Sequence, residues 1–70
     1  MRLQVWHTQE LTSHGLYWLV VVREVSSERS RVVWESREEL EAQGVALFLT
    51  DYQPAARLAF DSANISYGGE

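Results

Sequence analysis

At 70 residues, with a formal net charge of −4 and 46% hydrophobic residues, the chain has the balance of one small folded α+β domain rather than of a disordered segment. It has no cysteine, which excludes disulfide staples, thiolate nucleophiles and Cys-based metal centres, and its six basic residues are all arginine, which excludes a Schiff-base or P-loop lysine. The acidic balance argues against a nucleic-acid partner, because binding to phosphates rests on an excess of basic side chains.

Residues 2–7 alternate with period two, placing Leu3, Val5 and His7 on one face and Arg2, Gln4 and Trp6 on the other, which predicts a half-solvated first strand. The polar stretch 9–15 ends in Gly15 and predicts a seven-residue connection to an antiparallel second strand over residues 16–25. That second strand carries large apolar side chains on both sides: Leu16, Trp18, Val20 and Val22 on one, Tyr17, Leu19, Val21 and Val25 on the other. Helices of so short a chain can cover one face of the sheet, so the other face calls for a second copy or another protein. A lone core of this size is marginal in any case, since such a domain buries only about 60% of the surface its unfolded chain exposes. Residues 26–30 are a polar turn, and residues 31–35 pair back as a third strand to complete a meander.

Ser36-Arg37-Glu38-Glu39 has the spacing of a helix capping box, and Gly44 sits where a C-terminal cap would turn left-handed, which predicts a helix of about two turns. The apolar run 45–49 reads as a fourth, doubly buried strand, parallel to the third through that short crossover helix. Over the last twenty residues the preferred reading is a helix capped by Asp51 with Pro54 in its first turn; the alternative is a hairpin of residues 57–60 and 65–67. The expected class is therefore α+β, a single mostly antiparallel sheet in the order β-β-β-α-β-α.

Candidate sites are few. Trp6, Trp18 and Trp34 fall on predicted strands at even positions and read first as core and cross-strand packing residues; the alternatives are an aromatic ridge on one sheet face beside Val20, Val22 and Val32, serving as an oligomer or partner interface, and a stacking platform for a base or sugar. His7, Glu10 and His14 match no compact metal-ligand spacing, and no metal or other cofactor is expected. Glu35, Glu38, Glu39 and Glu41 cluster about the first helix and read as a solvated acidic face. No G-x-S-x-G elbow accompanies the turn serines, and Arg23, Arg29 and Arg31 are offset by Glu24 and Glu28.

The terminal Gly68-Gly69-Glu70 resembles the ligation-ready tail of the prokaryotic ubiquitin-like proteins, whose last glutamate side chain is joined to substrate lysines. The match covers three residues, and that family is hydrophilic and largely disordered, whereas this chain is rich in Trp, Val and Leu. Sulfur-carrier proteins of ubiquitin-like fold are similarly short and strand-rich, but they end in a bare Gly-Gly, and Glu70 would block adenylation there.

The leading expectation is a protein-interaction or assembly module without catalytic activity, self-associating through an apolar sheet face with Trp18, Val20, Val22 and Trp34 as contacts. A second is an acidic inhibitor or accessory subunit that presents Glu38 and Glu39 to a basic protein surface. A third is a small oligomeric enzyme with His7 or His14 as base at a subunit junction. Nothing near Met1 resembles a signal peptide and no apolar run approaches ~20 residues, so a cytoplasmic protein without a membrane partner is expected.

Overall fold

Alternation along the first half of the chain builds the sheet in the computed structural model, which describes residues 2–68. Strands β1 (Gln4–Thr12), β2 (Gly15–Glu24) and β3 (Arg29–Ser36) form the expected antiparallel meander. Two helices follow, α1 (Glu39–Asp51) and α2 (Gln53–Ser62), and then a two-residue strand, β4 (Ile65–Ser66), beside β3. Sheet order is β1-β2-β3-β4, every pair antiparallel, with both helices packed on one face. The fold is thus the expected α+β class, in the order β-β-β-α-α-β.

Polar residues 9–12 extend the first strand instead of forming a long connection. The turn needs only Ser13 and His14, since Gly15 takes a φ of +113° that other residues rarely adopt, and Thr12 Oγ1 accepts from the His14 N–H and donates to the Gly15 carbonyl. These residues extend the sheet because each pairs across to β2, from Gln9 with Trp18 to Thr12 with Gly15.

The largest departure concerns residues 45–49, which are helical and not a fourth strand. Ala42, Ala46 and Leu49 recur at helical spacing and are buried against the sheet, so the period that counts is 3.6 and the crossover unit does not form. Gly44 lies inside α1 rather than at its end, and Ser36 does not cap it: its hydroxyl, buried at the end of β3, accepts from the Glu38 N–H at 3.0 Å. A Cβ built on Gly44 would meet nothing within 4 Å. Gly44→Ala should therefore raise stability by about 0.5–1 kcal/mol in urea denaturation, the gain of removing a glycine's backbone entropy from a helix interior. A loss on this substitution would mean that α1 is not helical there.

Helix α1 stops at Tyr52, whose N–H reaches the Phe48 carbonyl at 2.9 Å. Pro54 then opens α2, where its missing N–H costs nothing. The hairpin alternative for 57–60 is thus not adopted, although Ile65 and Ser66 do form a strand, against Val32 and Arg31. Gln53 ties the start of the chain to this junction by accepting from the Leu3 N–H at 2.7 Å. Among the described residues no helix is long and apolar enough to cross a membrane.

The helix-side core joins Leu3, Val20 and Val22 to Ala42, Ala46, Leu49, Ala56 and Phe60. On the opposite face Leu19, Val21 and Val32 are also buried, and their cover comes from within the chain: Trp6, Tyr17 and Tyr67 pack over them. Tyr67 is seated by its backbone N–H on the Ser30 carbonyl at 2.8 Å, by its hydroxyl donating to Glu10 at 2.9 Å, and by an edge-on contact with Trp6. From Leu19 to Val22 both faces of β2 are buried within the chain, while Leu16 at its start is 59% exposed.

Candidate functional site

A β-bulge shapes an exposed apolar surface between β3 and the helices. Val20 opposes Trp34 and Val21 opposes Val32, so Val33 is the extra residue of β3. The bulge shifts the alternation: Val32 is buried on the open face, whereas Val33 packs toward the helices and Trp34 stays on that side with 44% of its surface exposed. Opposite them α1 presents Leu40, Val45 and Phe48, and α2 presents Ala59, around an open groove of about 530 Å³. Leu40 and Phe48 are 81% and 57% exposed, and Phe48 leans on the ring of Tyr52 at 5.9 Å. The small residues Gly44 and Ala59 leave room between the larger ones.

Beside this groove lies a second hollow of about 320 Å³ on the outer edge of β3, lined by Val32, Val33, Trp34, Glu35 and Ile65. It exists because β4 pairs only with Arg31 and Val32, so from Val33 to the end of β3 the outer edge has no strand neighbour among the described residues. Val33 and Trp34 line both hollows. The charged groups lining the two are Glu41 in the groove and Glu35 in the edge hollow, and neither has an ion pair among the described residues. The nearest arginine in sequence, Arg37, is turned away onto the open face, where its guanidinium lies 5.2 Å from the centre of the Tyr17 ring and its Nε donates to the Tyr17 hydroxyl.

The other expected site residues are dispersed. Val20 and Val22 are fully buried beneath the helices and offer no area to a partner, and Trp18 is half-buried against the ring of His7. Trp6 pairs with Val21 and lies on the opposite face from Trp18 and Trp34, so the three tryptophans form no common ridge. Of the four expected contacts, Trp34 alone is prominently exposed. Glu38 and Glu39 are both exposed at the start of α1, with Glu39 3.6 Å from His7. His14 sits in the β1–β2 turn, Glu10 holds Tyr67, and among the described residues no group of three His, Asp or Glu is placed to hold a metal. Gly69 and Glu70 of the expected conjugation tail lie outside the described residues.

Sequence reasoning missed Leu40 and Phe48. The signal was present in the spacing of Leu40, Gly44, Phe48 and Tyr52, four apart, but it becomes visible only once residues 45–49 are placed on a helix. Compared with known protein families, curated proteins and solved structures, the chain matches none of them.

Proposed function

We propose that this chain is a protein-interaction module that docks a segment of a heterologous protein along the outer edge of β3 and the adjoining α1 groove. The observation that carries this reading is the cluster of Trp34, Leu40 and Phe48, three large apolar side chains exposed together beside an unpaired strand edge. Such a surface loses apolar hydration when covered, and aromatic side chains in a cleft are what binding hot spots are made of.

With the centre of both sheet faces covered by the chain itself, the footprint of any self-association moves to this edge. An isologous contact sets a patch against its own copy, so it would bring Glu35 and Glu41 of two copies to one junction, where like charges oppose association. This favours a partner of different sequence, with the acidic surface near the start of α1 contributing attraction to basic groups.

The reading is tested by selecting a display library of random ten-residue peptides on the wild-type chain and on Phe48→Glu. Truncating or charging an exposed side chain leaves the core intact, so both proteins should give the same circular dichroism. Peptides enriched on the wild type should lose at least tenfold in affinity on Phe48→Glu, the cost of a charge in a desolvated apolar contact. Equal binding to both, or no enrichment on either, would remove this surface as the docking site.

A further inference from the structure

We infer that the docked segment is an extended peptide with alternating apolar and basic residues, which adds to the sheet as a strand beside residues 33–36; this rests on the docking site proposed above. Three features of the edge converge on that occupant.

The first is the backbone. Outside Val33, Trp34 and Glu35 no strand among the described residues continues the row occupied by β4, and Ile65 closes one end of it. Peptide groups on such an edge are satisfied most directly by another extended chain, and strand addition is a recurrent mode of peptide capture. Four residues of edge give about 13 Å of ladder, enough for a short segment and too little for a wide sheet-to-sheet contact.

The second is the pair of hollows sharing Val33 and Trp34. A strand lying in the edge hollow sends alternate side chains to opposite sides of the sheet. Those on the helix side point toward the groove between Trp34 and Phe48, which is lined almost wholly by apolar side chains. An aliphatic or aromatic residue fits there.

The third is charge. Glu35 pairs across with Leu19, a residue of the open face, so the side chains of the added strand that point away from the helices pass beside a free carboxylate. Glu41 lies at the groove itself. With Arg37 held on Tyr17 and Arg31 held on the Phe60 carbonyl, the nearest cations are engaged elsewhere, and a lysine or arginine of the peptide is the complement that the edge lacks. The pattern is therefore apolar toward the groove and basic toward Glu35, in strict alternation.

The same peptide selection decides the matter when its winners are sequenced and resynthesised. Enriched peptides should alternate apolar residues with lysine or arginine, and affinity should fall with added salt. Glu35→Gln should weaken binding about two- to fivefold, as expected for an exposed ion pair, and more than Glu41→Gln, which lies on the apolar side of the added strand. N-methylation of one of the two alternating sets of peptide amides should abolish binding and of the other set should not, because only the set facing β3 donates to the ladder, whereas side-chain docking alone needs neither. Winners that are acidic, proline-rich or helical, or that tolerate both sets of N-methyl groups, would overturn the strand while leaving a Phe48-dependent docking site standing. A stable dimer by light scattering across a dilution series, dissociated by Phe48→Glu, would instead make a second copy the occupant and overturn the peptide.

Discussion

Replacing Phe60 by alanine is expected to remove about half or more of the chain's folding stability. Phe60 is 3% exposed, is the largest side chain of the helix-side core, and joins α2 to the sheet beneath it. The Arg31 guanidinium lies 4.4 Å from the ring centre and the Arg57 guanidinium 5.6 Å from it, so the ring is gripped by two cations as well as by apolar neighbours. Arg31 also donates to the Phe60 carbonyl at 2.9 Å, and Arg57 bonds Glu24 of β2 at 2.6 Å, which anchors the same helix from both ends of the ring. Truncating a buried phenylalanine costs about 3–5 kcal/mol. A domain of this length has only about 4–10 kcal/mol in all. Urea titration followed by circular dichroism should show the transition midpoint fall by about half or more, whereas Phe60→Leu, which keeps most of the volume, should cost under about 1.5 kcal/mol. A loss below about 1 kcal/mol for the alanine variant would mean that α2 is not held as described.

The second large effect belongs to Tyr67. Removing its ring uncovers Leu19, Val21 and Val32, so Tyr67→Ala should cost about 2 kcal/mol and make the chain associate at high concentration, as an uncovered apolar sheet face does. The hydroxyl makes a separate contribution with a defined dependence on pH. Donating to the Glu10 carboxylate, and being partly shielded from water, it holds its proton above the usual tyrosine range near 10. Below that pH neither the folded nor the unfolded chain ionises and the contribution is complete. Above it the unfolded tyrosine loses its proton while the folded one keeps it, so stability declines as pH rises. The difference in unfolding free energy between the wild type and Tyr67→Phe, measured from pH 8 to 11.5, should therefore shrink above about pH 10. A difference that stayed constant through that range would mean that the Tyr67–Glu10 bond is absent in solution.

Tyr67 also explains why the apolar character of β2 does not by itself demand a partner. The two-faced run 16–25 was plain in the sequence, and so was the inference that both faces must be covered. What covers the second face is a tyrosine more than forty residues away in sequence, together with Trp6 and Tyr17, and no local pattern announces such a contact. The same holds for the docking surface. Trp34 was singled out as a contact residue from its size and position, but its companions Leu40 and Phe48 were hidden by reading 45–49 as a strand. A five-residue apolar run has no period of its own; only the buried positions Ala42, Ala46 and Leu49, set by the sheet beneath, select the helix.

By itself the sequence determined the meander, the second polar turn, the separation of β2 into two apolar faces, the helical preference of residues 53–62 and the absence of cysteine and lysine chemistry. These depend on alternation, turn residues and composition, which act between near neighbours. Tertiary structure alone decided that residues 45–49 are helical, that a bulge at Val33 sends Val32 and Trp34 to opposite faces, and that Tyr67 closes the open face while the β3 edge stays bare. Each is the outcome of competition for the same buried area among residues far apart in the chain, and such competition is resolved only when the elements pack.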